Sequence, residues 1–132
     1  MNCSSQPCVR LVCPLLAVEP RCFDLSIVWG TDNQLEATIT DGDGKAIAIN
    51  NDTVAFTVKE AVGGAAVFVK SNGPGAHSVP GLGQTIFNID AADTATASAT
   101  AWTYWIYEVR RTTAAGDTRV HLTGQFAVGP TI

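Results

Sequence analysis

Residues 119–128 read RVHLTGQFAV. Val120, Leu122, Gly124, Phe126 and Val128 fall on one side of an extended chain, with Arg119, His121, Thr123 and Gln125 on the other. A half-buried antiparallel strand needs this period of two, because successive side chains point to opposite faces of a sheet. The same period recurs upstream. FDLSIV (23–28) aligns Phe23, Leu25 and Ile27; QLEATIT (34–40) aligns Leu35, Ala37 and Ile39; TVAFTV (53–58) aligns Val54, Phe56 and Val58. AVFVK (66–70), TIFNI (85–89) and WTYWIYEVRRT (102–112) complete a set of seven candidate strands.

The connections between these strands are rich in turn residues: DGDGK (41–45), VGG (62–64), NGPGAHSVPGLG (72–83) and AAGD (114–117). Short alternating strands at this spacing predict an all-β, Ig-like antiparallel β-sandwich. One short helical crossover is expected over DAADTATA (90–97). There Asp90 can cap the following amides, and Asp93 completes a capping-box pattern.

Size and composition agree with one such domain. The chain has 132 residues, 46% hydrophobic and 15% charged, so it can bury a core and is not disordered. Its net charge is −4 and its basic residues nowhere cluster, which argues against a nucleic-acid surface. No apolar run approaches the ~20 residues that span a bilayer. LVCPLLAV (11–18) is short, interrupted by Pro14 and preceded by no basic cluster, so it reads as part of a soluble mature protein and not as a secretion signal.

Residues 1–22 differ from the rest. All four cysteines (Cys3, Cys8, Cys13 and Cys22) and three of the six prolines lie there, with none of the twelve glycines. Pro7, Pro14 and Pro20 are too closely spaced for a helix and favour an extended path. Two parts are therefore expected: an extended cysteine-rich arm over 1–22 and the sandwich over 23–132.

The spacing C-x4-C-x4-C-x8-C has no tight C-x-x-C knuckle and is a poor match to structural zinc. Five residues of extended chain span about 16–18 Å, whereas a disulfide needs Cα atoms closer than about 7 Å. Local bridges would thus require the arm to loop. Fully extended, the arm reaches up to about 70 Å and can lie across a neighbour. The favoured reading is a clamp locked by intersubunit disulfides. Reduced buried thiols and looped local bridges are the alternatives.

In WTYWIY (102–107), Trp105, Tyr107 and Val109 share one face, and Trp102, Tyr104 and Ile106 share the other. One set belongs in the core. The exposed set, taken as Trp102, Tyr104 and Ile106, is a candidate protein interface, with a sugar-stacking platform as the competing reading. DGDG (41–44) with Asn50, Asn51 and Asp52 invites a calcium reading, but no distant bidentate glutamate stands at the required offset, and Asp-Gly pairs serve hairpin turns. His77 and His121 are read as solvated, His121 on the outward face of its strand. The carboxylates Asp24, Glu36, Glu60 and Glu108 show no pairing in the sequence. No nucleophile elbow, phosphate loop or metalloprotease motif is present, so no catalytic residue, metal or cofactor is expected.

The order of three segments resembles the small Ig-like β-sandwich domains of tailed-bacteriophage virion proteins. These are the N-terminal domain of baseplate upper proteins and related head and tail accessory proteins. The matching features are the Asp-Gly turn before Phe56-x-Val58, Asp93-Thr94-Ala95 before the aromatic strand, and Leu122-Thr123-Gly124-x-Phe126-x-Val128-x-Pro130. The likeness covers residues 36–130, about three quarters of the chain, and nothing in it accounts for the cysteine arm. It implies a non-enzymatic virion component of head, neck or tail, assembled in the host cytoplasm beside other virion proteins and copies of itself. A carbohydrate- or receptor-binding module on the virion surface is the alternative.

Overall fold

The computed structural model describes residues 8–14, 21–22 and 24–130, the first two stretches by backbone path alone. Strands run β1 (Cys8–Pro14), β2 (Arg21–Cys22), β3 (Leu25–Val28), β4 (Asn33–Thr40), β5 (Thr53–Lys59), β6 (Ala66–Asn72), β7 (Gln84–Ile89), β8 (Thr103–Thr112) and β9 (Thr118–Gly129). All seven strands expected from residue 23 onward form, each within a few residues of the stretch whose alternation announced it.

They pack as two sheets. The smaller has the order β1-β4-β7, and the larger β2-β9-β8-β5-β6, with β3 also paired to β9. The run β9-β8-β5-β6 reproduces the G-F-C-C′ order of an immunoglobulin sandwich. β2 and β3 keep one parallel register along β9, from Arg21 opposite Leu122 to Val28 opposite Gly129.

Residues 1–22 were expected to leave the body. Their described backbone instead lies along this chain's own sheets: β1 pairs in parallel with β4, and β2 with β9. Both are edge strands. Cys3 and Phe23, and the side chains of Cys8, Cys13 and Cys22, lie outside the described residues.

Alternation fills the space between the sheets. Leu35, Ala37 and Ile39 from β4 and Phe87 and Ile89 from β7 face Val54, Phe56, Val58, Trp105, Tyr107, Val109, Leu122, Phe126 and Val128 from the larger sheet. Phe56 is the hub. Its ring centroid lies 5.3 Å from Tyr107, 5.9 Å from Phe87, 6.0 Å from Phe126 and 6.2 Å from Phe68. Since Phe87 belongs to the opposite sheet, this one ring joins both layers.

The turns follow from their sequences. In DGDGK, Asp41 Oδ1 accepts the amides of Asp43 and Lys45, each at 2.9 Å, and Gly44 takes φ +84°. That carboxylate is engaged in closing the turn. Gly83 is required for another reason: a Cβ there would stand 2.5 Å from the Ile39 carbonyl oxygen, at φ +70°. The crossover from β7 to β8 contains a single 3-10 turn, Ala91–Thr94, inside the stretch where a short helical crossover was expected. Its capping box is present, with the Asp90 amide donating to Asp93 Oδ2 at 2.8 Å, and Lys70 on β6 bridges the same carboxylate at 2.9 Å.

Phe56→Ala is expected to destabilise the domain by about 3–5 kcal/mol, since it empties the point where five aromatic rings meet. Val62→Ala, at an 89% exposed position, should change stability by less than about 0.5 kcal/mol. Urea denaturation midpoints of the two variants check this.

Candidate functional site

Two groups of polar or aromatic side chains stand out from the packed core. One is a hydrogen-bonded network buried at one end of the sandwich. The other is a strip along the outer face of the larger sheet.

The network begins where the alternation of β8 fails to be apolar. Trp105, Tyr107 and Val109 are core-facing, and the next residue of that parity is Arg111, which is only 9% exposed. Its Nη1 donates to Asp52 Oδ2 at 3.1 Å, and its Nε to His121 Nε2 at 3.2 Å. A guanidinium only donates, so His121 Nε2 is the accepting nitrogen and the neutral ring carries its proton on Nδ1.

Period two places His121 on the outside of β9; in the structure it is fully buried. The reason is a bulge. Val109 pairs with Leu122 but Arg110 pairs with Val120, so His121 is an extra residue in the ladder and turns inward.

His77 was also expected in solvent, and it is half-buried. Its Nε2 lies 2.7 Å from the Asp52 carbonyl and donates to it, and its Nδ1 lies 3.0 Å from Thr85 Oγ1. Thr85 in turn accepts from Asn72 Nδ2 at 2.7 Å, and that amide also donates to the Ile86 carbonyl at 2.8 Å. Asn72 ends β6 and Thr85 is the second residue of β7, so this bond ties one sheet to the other. These groups satisfy one another's hydrogen bonds at the end of the core, beside the 72–83 loop.

The outer strip has a different character. Strand register sets it, since residues paired across strands share a face. Tyr104 pairs with Ala127 and Val28 with Gly129; Ile106 pairs with Lys59 and Gln125, and Glu108 with Thr57 and Thr123. Trp105, Tyr107 and Val109 occupy the core, which leaves Trp102 at 53% and Tyr104 at 56% exposure, with Ile106 half-buried. The Trp102 and Tyr104 rings stack with centroids 6.2 Å apart and planes 13° from parallel. The indole lies on Gly129, where an added Cβ would come within 2.7 Å of it. A side chain there would displace the ring.

At Ile106 the strip deepens into a groove of about 390 Å³, whose lining includes Ile106 and Val62 together with Thr57, Lys59, Glu108, Arg110 and Thr123. Arg110 Nη2 bridges both carboxylate oxygens of Glu108, each at 3.2 Å. Of the carboxylates that showed no pairing in the sequence, Glu108 thus finds a cation, and Asp24 accepts the Gln125 amide at 3.1 Å. The parity of β8 already groups Glu108 and Arg110 with Trp102, Tyr104 and Ile106. Thr57, Lys59 and Thr123 join them only through pairing with β5 and β9, which no local pattern announces. Among the described residues no three His, Cys, Asp or Glu side chains are grouped as a metal site.

No family model matches this chain, and no curated protein does. Among solved structures it is similar to the N-terminal domain of phage TP901-1 ORF48, at 12% identity and a TM-score of 0.48, over 91% of this chain and 98% of that one. A likeness of this degree shows neither a family nor an activity.

Removing one member of the buried ion pair should cost more than removing both. Asp52→Ala strands the Arg111 guanidinium and is expected to destabilise by about 3 kcal/mol or more, and adding Arg111→Met should recover a large part of that. A double-mutant cycle by urea denaturation checks it; strictly additive effects would show that the pair does not couple.

Proposed function

We propose that this protein is a structural component of a tailed-bacteriophage virion: a non-catalytic β-sandwich set into the particle beside copies of itself and other virion proteins. The observation that carries the reading is the order of the motifs and where they fall. The Asp-Gly turn at 41–44, Phe56-x-Val58, Asp93-Thr94-Ala95 and the Leu122–Pro130 segment occupy a turn, the hub of the core, the crossover and the strand opposite the aromatic run of one sandwich. In the proteins whose sequences this order resembles, such a domain is a building block.

Contacts between copies are assigned to the sheet edges. β1 and β2 are edge strands, so Cys8, Cys13 and Cys22 belong to backbone at the borders of the sandwich, where another subunit can approach. With Cys3, these cysteines are the proposed covalent links between subunits. They would form after assembly in the reducing cytoplasm, once the particle is outside the cell. The outer face with Trp102, Tyr104 and Ile106 is the contact surface left open to a partner. An exposed Trp–Tyr pair on a rigid strand is a typical recognition anchor.

Two measurements test this. Mass spectrometry and immunogold labelling of gradient-purified particles should find the chain at regular positions, and its absence from particles would overturn the virion role. Non-reducing gels of the same particles should show a ladder that collapses with reductant; monomer bands alone would remove the covalent link and leave the virion role standing.

A further inference from the structure

The outer strip differs from a protein-binding hot spot in one respect. Hot spots are apolar at the centre and polar only at the rim. Here the aromatic pair stands at one end, and the groove beyond it sets the charged groups of Lys59, Glu108 and Arg110 among apolar lining from Ile106 and Val62. From Trp102, just before β8, to Arg110 within it, the strip spans eight residue steps, about 27 Å at the usual rise. Its first part presents two half-exposed, near-parallel rings, one of them seated against the Gly129 backbone. Its second part is a groove of about 390 Å³, within the range of small-molecule sites.

The groove offers both kinds of hydrogen-bonding group side by side. The Glu108 carboxylate accepts, the Arg110 guanidinium and Lys59 ammonium donate, and the Thr57 hydroxyl does either. Glu108 and Arg110 already stand within hydrogen-bonding distance of each other, so the acceptor and the donor are adjacent.

One class of ligand carries the complementary chemistry in every repeat unit. A pyranose ring has an apolar face of C–H groups that lies flat on an aromatic ring. Around its edge it has hydroxyls, each a donor and an acceptor, which match a carboxylate beside a guanidinium. We propose that this strip is an oligosaccharide-binding groove. Trp102 and Tyr104 form its stacking platform, and Thr57, Lys59, Glu108 and Arg110 its hydrogen-bonding floor. The length accommodates several sugar rings end to end, so the ligand is a glycan chain and not a monosaccharide. The proposal rests on the outer face being the open contact surface. It does not depend on where the protein sits in a particle.

The purified full-length chain is applied to an array of neutral and carboxylate-bearing oligosaccharides, and the bound glycans are titrated by calorimetry. Binding is expected. It should be weakened about tenfold by Trp102→Ala, the loss of one stacking contact, and also weakened by Glu108→Gln. Asp43→Asn, on the exposed 41–45 turn, should leave it unchanged. Preference for carboxylate-bearing sugars would assign the contact to the cations Lys59 and Arg110, and equal binding of neutral ones to hydroxyl contacts with Glu108 and Thr57. Circular dichroism and melting curves confirm that each variant is folded. Should Trp102→Ala not fold, Glu108→Gln, a surface change, decides alone. No glycan bound above background, or binding untouched by the folded variants, overturns the proposal. A gradient search that fails to find the chain in particles leaves this measurement intact, and the reverse also holds.

Discussion

The two sheets close on a shared apolar core in which one ring touches aromatic partners in both. Phe56 contributes no polar group and no special geometry, only an aromatic surface met by Tyr107 and Phe126 on its own sheet and Phe87 on the other. Burying apolar area is non-directional, but tilted ring packing is not: aromatic faces and edges prefer defined offsets. The cluster therefore fixes how the sheets sit against each other as well as holding them together. The alternation in every neighbouring strand is the means of delivering side chains to that point.

The core ends where β8 places a cation at an inward position. A charge at the margin of an apolar interior is tolerable only when paired and hydrogen-bonded. Asp52 supplies the charge, and a bulge in β9 brings in His121. The same carboxylate residue offers its backbone carbonyl to His77, and Thr85 and Asn72 carry the chain of bonds across to the other sheet. The network thus extends the joining of the two sheets past the point where apolar packing stops.

Core and surface are linked through strand alternation. Because Trp105, Tyr107 and Val109 face inward, Tyr104, Ile106, Glu108 and Arg110 face outward on the same strand, and Trp102 just before it joins them by its stacking on Tyr104. The outer strip is held by the packing on its reverse side, and its residues are spaced by the strand itself. Gly129, which pairs with Val28, leaves the space that seats the indole flat.

Strand identity, the core-facing set and the partition of the aromatic run were legible in the sequence, because each depends only on the two-residue repeat and on turn residues such as Gly44 and Asp41. What the sequence could not convey was anything decided by pairing between distant segments. His121 looked solvent-facing because one bulge reverses parity without leaving a local mark. Lys59 and Thr57 looked unrelated to Glu108 until β5 lay beside β8. The N-terminal stretch looked free because no residue in it names β4 or β9 as its neighbour. Side-chain alternation is written residue by residue along the chain, whereas register and edge pairing are long-range choices set by the packing of the whole, and only the tertiary structure records them.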